Sequence, residues 1–246
     1  MDKQTVVVLF GGRSSEHSIS SATAGGVLGA IDRDRYAVIP VGITREGAFV
    51  LEDDDPSKFP LDAAHLPEVA DNGTRVLWPE PGGDRTLRVV RQDGTVEGFG
   101  EIDIVLPILH GTHGEDGTIQ GYFDTLEVPY AGGGVLDSAL CMDKHFMKIT
   151  LRAAGLSVAP GITVRSREWE RDAASVRASA VDLGMPLFVK PARAGSSVGV
   201  SKVERPDELD AALAIAFAED DKVLIESGVV GREIEVAVLE SADGVR

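Results

Sequence analysis

Thr5–Phe10 reads Thr-Val-Val-Val-Leu-Phe, apolar after its first residue and rich in β-branched side chains. A strand apolar on both faces must be covered on both faces, which points to a parallel sheet inside an α/β layer structure. Gly11-Gly12-Arg13-Ser14-Ser15-Glu16-His17 follows at once, and Ile19, Thr23, Val27 and Ile31 then recur at helical spacing, with Ser14 or Ser15 as the expected N-cap. Strand, glycine turn and helix N-terminus together form an anion site. The turn lacks the G-x-G-x-x-G spacing, so NAD is not expected. Glu16 and His17 either serve the helix start or face a zwitterionic ligand at the strand's carboxyl end.

The same strand pattern returns at Tyr36–Ile43 and Ile102–Leu109, which fixes a first α/β domain over residues 1–133. Residues 45–100 are less regular. Short strand-like runs at Ala48–Leu51, Val76–Trp78 and Leu87–Val90 are broken by turn dipeptides such as Asn72-Gly73 and Asp93-Gly94, so this stretch is expected to be a β-rich elaboration. Ile102–Leu109 ends in His110-Gly-Thr-His-Gly-Glu-Asp-Gly117. Its two histidines and two carboxylates suit ligand contact at a strand end, a metal, or a loop that satisfies its own backbone.

Beyond Gly132-Gly-Gly134 the pattern changes. Leu136–Ala153 and Glu168–Leu183 are predicted as helices, Gly161–Val164 as a strand, Pro206–Ala218 as a helix with proline at its start, and Val223–Glu226 and Glu233–Leu239 as strands. Within this α+β unit, the strand Leu187–Pro191 delivers Lys190 to a loop, Ala192-Arg-Ala-Gly-Ser-Ser-Val-Gly199, before apolar chain resumes in a predicted hairpin partner. Small residues let backbone N–H groups converge on an anion, Ser196 and Ser197 add donors, and Lys190 adds a point charge. This is the chemistry of a phosphate grip, though not of a P-loop, since no G-x-x-x-x-G-K-[ST] occurs. The bland alternative is a surface hairpin turn. Lys144 is an ordinary helix lysine unless it joins Lys190 at the same phosphates.

The formal charge of −16 argues against nucleic acid and against anionic membrane surfaces, and obliges any bound polyphosphate to find local cations or metal ions. The single cysteine, Cys141, forms no intrachain disulfide and fits a reducing compartment. The first apolar run is too short for a signal-peptide core, so a cytoplasmic location is expected.

Taken in order, Phe10–Ser20, Leu109–Gly121, Pro129–Gly134 with Met142-Asp-Lys144, Val189–Gly199, and Leu224–Glu226 with Gly231-Arg-Glu233 resemble the D-alanine–D-alanine ligase family of the ATP-grasp superfamily. The resemblance runs from residue 5 to about 239 and is expected to cover the family's amino-terminal and central portion only. It implies a Rossmann-like parallel-sheet domain followed by an α+β ATP-grasp domain: a central subdomain over 134–226, and at 227–246 the start of a C-terminal subdomain truncated there. It also implies roles. Lys144 and Lys190 would bind ATP phosphates, and Ser196 and Ser197 would belong to the lid over them. Glu226, with backbone near Val229, would hold the adenine, and Glu233 the ribose. Glu16 would fix the first D-alanine's ammonium and hydrogen-bond towards Ser196, and His110 would sit near that substrate's carboxylate. ATP and Mg²⁺ (or Mn²⁺) would be the cofactors, with the metal ligands outside this chain. D-alanine would be the substrate, the assembly a homodimer, and the product D-alanyl-D-alanine, a peptidoglycan precursor. Ligation to D-lactate or D-serine, another ATP-grasp carboxylate–amine ligation, and a non-catalytic nucleotide-binding fragment are the alternatives.

Overall fold

The structure is a computed structural model, which describes residues 3–238, 240–241 and 244–245. Strand β1 (Gln4–Gly11) leads through the glycine turn into helix α1 (His17–Ala30) and back to β2 (Tyr36–Ile43). β3 (Phe49–Leu51) follows; then β4 (Arg75–Leu77), β5 (Thr86–Val90) and β6 (Val96–Glu101), and finally β7 (Ile104–Pro107) and α2 (Thr118–Thr125). The first sheet has the order β3-β2-β1-β7. β1 pairs in parallel with β2 and β7, as the unbroken apolar runs require, and β3 adds an antiparallel edge.

Both faces of β1 are covered, but by different elements. Val6, Val8 and Phe10 pack against Ala24 and Leu28 of α1, together with Phe59 and Val69. Val7 and Leu9 face Val76, Leu87 and Val89 of the antiparallel sheet β4-β5-β6, and Ile119 and Phe123 of α2. The 45–100 stretch is therefore more than an elaboration: it supplies one edge of the parallel sheet and covers one of its faces.

The second unit contains α3 (Val135–Met142), α4 (Lys144–Ala153), β8 (Gly161–Arg165), α5 (Ser166–Arg171), α6 (Ala173–Val181), β9 (Leu187–Pro191), β10 (Ser201–Val203), α7 (Leu209–Glu219) and β11 (Lys222–Ser227). Its sheet, β10-β9-β11-β8, is antiparallel throughout. Leu187, Val189, Val203, Val223 and Ile225 bury against Leu209, Leu213 and Ala216 of α7 in a core separate from the first.

Two long predicted helices are each broken, and both breaks have the same cause. Leu136–Ala153 divides at Asp143 and Glu168–Leu183 at Asp172; each aspartate leaves the helical region and caps the helix after it, Asp143 accepting from His145 N and Phe146 N, and Asp172 from Ser175 N. Asp143 also pairs, while buried, with Lys222 at the start of β11. An aspartate inside an apolar helical pattern signalled a cap, and the periodicity alone did not separate the two helices.

The expected ATP-grasp domain truncated after residue 226 is corrected. β11 lies inside its sheet between β9 and β8, the core beneath it is filled, and strand structure recurs in β12 (Glu240–Ser241) and β13 (Gly244–Val245), which pair antiparallel. The predicted strand Glu233–Leu239 does not form: 228–238 carry no regular pairing, with Ile234, Val236 and Val238 exposed, and Leu239 lies outside the described residues. Alternation alone does not make a strand where the apolar side chains stay exposed.

Asp143→Ala leaves Lys222 buried without its carboxylate and removes the cap of α4. Urea unfolding should show a loss of about 3–5 kcal/mol, the scale for breaking a buried ion pair. A loss under about 1 kcal/mol would mean the pair does not hold the two elements together.

Candidate functional site

The three glycine-rich turns of the chain meet. After β1, Ser14 Oγ donates to the His110 carbonyl oxygen (2.7 Å) and accepts from Glu16 N (3.1 Å), stitching the first turn to the one after β7. Ser14 is thus a bridge and not the expected N-cap. Glu16 occupies the N-cap position of α1, yet its carboxylate makes no capping hydrogen bond. Instead Glu16 Oε1 accepts from Ser196 Oγ of the β9–β10 loop (2.5 Å), 180 residues away in sequence. Small residues lie close beside it, and at Gly111 the left-handed backbone itself favours glycine. A Cβ on Gly111, whose φ is +70°, would sit 2.4 Å from Glu16 Oε2, and one on Gly195 would sit 3.2 Å from the same atom.

His17 takes neither of its expected parts. It is fully buried; its Nε2 accepts from Val69 N (3.0 Å), so the ring proton lies on Nδ1 and is given to the Gly12 carbonyl oxygen (2.6 Å). The histidine ties the first turn to the 45–100 stretch, a role that only the fold reveals. His110 is different: its Nε2 is buried with no hydrogen-bond partner among the described residues. It lines a cavity of about 240 Å³ with Gly12, Arg13, Leu109, Thr112 and His113. Among the described residues no group of three or more His, Cys, Asp or Glu side chains could hold a metal ion, so the metal alternative for His110 and His113 has no ligand set here.

The β9–β10 loop is anchored at its base. Asp220, buried before β11, accepts from Arg193 N (2.8 Å), Arg193 Nε (3.1 Å) and Arg193 Nη2 (2.5 Å), and from Lys222 N (3.0 Å). Burial works against ionisation of Asp220, but the hydrogen bonds from Arg193 and Lys222 N, with the Arg193 charge, together outweigh it and hold its carboxyl below the ordinary range. At the tip, Ser196 (φ +46°) and Ser197 (φ +58°) are consecutive left-handed residues, a conformation that costs energy in non-glycine residues and turns adjacent N–H groups the same way.

Lys144 and Lys190 lie near enough for the charge of one to bear on the other. Lys144 Nζ donates to the Ala194 carbonyl oxygen (2.5 Å), and its own N–H to that of Ala192 (3.0 Å). Burial, reinforced by the nearby Lys190 charge, lowers the Lys144 pKa from its usual value. Lys190 Nζ pairs with Glu226 Oε2 (2.6 Å). Glu226 is buried, and its other oxygen is held by Lys148. Lys148 was missed in the sequence; its signal was the i, i+4 spacing from Lys144, which puts both amines on one side of α4. Val229 and Glu233 are exposed in the irregular segment after β11, and Glu226 is engaged by the two lysines rather than by them. Ser197 is exposed at the loop tip.

The arrangement therefore joins a carboxylate of the first unit to a loop with a cationic floor in the second. Family comparison agrees with that division. Residues 5–133 match the model of the D-ala D-ala ligase N-terminus, and 150–245 that of the D-ala D-ala ligase C-terminus. The chain belongs to the D-alanine–D-alanine ligase family. The family's C-terminal match overturns the expected limit to an amino-terminal and central portion, and with it the reading of 227–246 as the mere start of a truncated subdomain. The D-alanine–D-alanine ligase of Paenarthrobacter aurescens is 52% identical over 96% of the chain and 62% of its own length. The D-alanine–D-alanine ligase structure from Coxiella burnetii is 32% identical with a TM-score of 0.79, covering 98% of this chain and 68% of that one. The VanG D-Ala:D-Ser ligase structure from Enterococcus faecalis is 33% identical with a TM-score of 0.75, covering 94% and 64%. The chain thus spans about three-fifths of the length of the curated relatives it matches. No helix among the described residues is long and apolar enough to cross a membrane.

Because the folded-state pKa of Lys144 lies below that of the unfolded chain, the folded state sheds its proton first as pH rises. Its contribution to stability therefore grows between the folded value and about 10.5, where the unfolded chain also titrates. Lys144→Met should remove that gain: the stability of the wild type relative to the variant, measured by urea unfolding, should rise from about pH 8 towards pH 10. A difference that is flat or falls with pH contradicts the buried placement of this amine.

Proposed function

We propose that this chain carries the amino-acid side and the nucleotide-phosphate side of an ATP-dependent ligase that joins two D-alanines for peptidoglycan precursor synthesis. The observation that carries the reading is the Glu16–Ser196 hydrogen bond, which puts a substrate-side carboxylate against the phosphate loop. The residues present fit a nucleotide: Lys144 reaches the Ala194 carbonyl oxygen of a loop of small residues, Lys190 stands at the end of the strand that leads into it, and Ser196 and Ser197 hold left-handed backbone at its tip. Bound ATP supplies the phosphoryl group that activates the first D-alanine's carboxylate for attack by the second one's amine.

Everything else in the step falls to positioning and charge. Glu16 receives the first D-alanine's ammonium, and Ser196 keeps that carboxylate turned towards the loop. His110, with its free and buried Nε2, meets the substrate carboxylate. Lys144, Lys190 and the Ser197 N–H steady the phosphates, Glu226 with backbone near Val229 receives the base, and Glu233 the ribose. Closure of Ala194–Val200 keeps water from the activated carboxyl. A Mg²⁺ (or Mn²⁺) requirement, a homodimer and a cytoplasmic location complete the reading; no metal-ligand set lies among the described residues. The net charge of −16 supports small-molecule partners over nucleic acid or membrane. The likeness to the VanG D-Ala:D-Ser ligase favours a second reading, ligation of D-alanine to D-serine.

NMR titration tests the assignment. D-alanine added to the ATP-saturated chain should shift the resonances of Glu16, Ser196 and His110. L-alanine should not, and Glu16→Gln should abolish the response while leaving the Tm within about 2 °C. Equal responses to both enantiomers, or a Tm loss without loss of the response, would contradict it.

A further inference from the structure

Glu226 is a carboxylate whose side chain is only 7% exposed, held between two amines on different elements. Lys148 reaches it from α4 and takes Oε1; Lys190 reaches it from the neighbouring strand β9 and takes Oε2 at 2.6 Å. Both amines are themselves largely covered, at 14% and 25%. The two pairs are not equivalent. Lys190 opens the loop that carries Ser196 and Ser197, so it has another place to go when an anion enters. Lys148 sits one helical turn beyond Lys144 and faces a separate cavity of about 440 Å³, lined with it by His145, Ile149, Thr163, Leu224 and Glu226. It has no phosphate-loop contact among the described residues.

We infer that Lys148 is a positioning residue for base recognition, and that the Lys190–Glu226 pair is the resting half of an exchange. The inference rests on the nucleotide reading above. When phosphates draw Lys190 away, Glu226 Oε2 loses its partner in a buried setting, where an unmatched charge is costly. Lys148 keeps Oε1 engaged, so the carboxylate neither turns away nor stands uncompensated. Its vacated oxygen then faces the site as a pure acceptor. A carboxylate accepts from an exocyclic amino group and repels a carbonyl oxygen, so the exchange selects a 6-amino purine over a 6-oxo purine. Loss of Lys148 would leave Lys190 as the one ion-pair partner of Glu226 among the described residues, with Arg152 lining the same cavity. Each phosphate contact of Lys190 would then come at the cost of stranding the carboxylate.

Calorimetric titration of the chain with ATP and with ITP tests this. The wild type should favour ATP by about tenfold or more, the worth of one hydrogen bond to a charged group. Lys148→Met should weaken ATP by about tenfold and bring the two nucleotides to near-equal affinity, whereas Lys148→Arg should keep the preference. A merely structural lysine would lower the Tm and leave the ATP/ITP ratio where it was. Should the methionine variant unfold, Lys148→Gln is read in the same way. An unchanged ratio in a folded Lys148 variant would overturn this inference alone. A wild type that binds neither nucleotide would overturn the nucleotide reading beneath it.

Discussion

Asp220 takes four hydrogen bonds while buried, three of them from Arg193, and the β9–β10 loop depends on that clamp. The nine residues between β9 and β10 are glycine, alanine and serine apart from Arg193 and two valines, with little side-chain surface to hold the loop in place. Fixing its first residues to the start of β11 leaves only the tip with conformational freedom. The same stretch of β11 sends Lys222 to Asp143, the residue that caps α4 and so sets the direction of Lys144. Loop base and lysine helix are thereby tied to one strand start. The amines of Lys144 and Lys190 can then lie close together, despite their mutual repulsion, because the backbone that carries them is fixed by other charges.

Across from this loop, the first unit offers a carboxylate that its own helix does not use. Glu16 stands at an N-cap position without capping, lodged against Gly111 and reaching Ser196. His17, one residue on, is spent on holding the turn in shape through Gly12 and Val69. Adjacent residues in one motif thus divide the work. The histidine makes the turn rigid, and the glutamate is left to meet what binds there.

Much of this was legible in the chain. β1, β2, β7 and β9 follow from unbroken apolar runs, and the glycine turns after three of them mark the places where backbone must approach a ligand or another loop. Lys144, Lys190, Ser196 and Glu16 were singled out by residue chemistry and order, and the fold brings them to one place. Other features were hidden for physical reasons. The buried pairs Asp143–Lys222 and Lys148–Glu226 join residues 79 and 78 positions apart, beyond any local pattern. The breaks at Asp143 and Asp172 come from capping, which a periodicity count ignores. Strand alternation at 233–238 leaves its apolar side chains exposed among the described residues, and no strand forms there. The covering role of the 45–100 stretch needed the third dimension, because its short strands resemble those of any surface excursion.

The neighbouring Lys144 charge and the Glu226 pair converge on the amine of Lys190, the cation of the proposed phosphate grip. Calorimetric ATP affinity of the wild type and of Lys190→Ala tests it most directly. The account predicts a loss of about 1–3 kcal/mol, the scale for removing a charged hydrogen-bond partner. Equal affinity in the two proteins would contradict it.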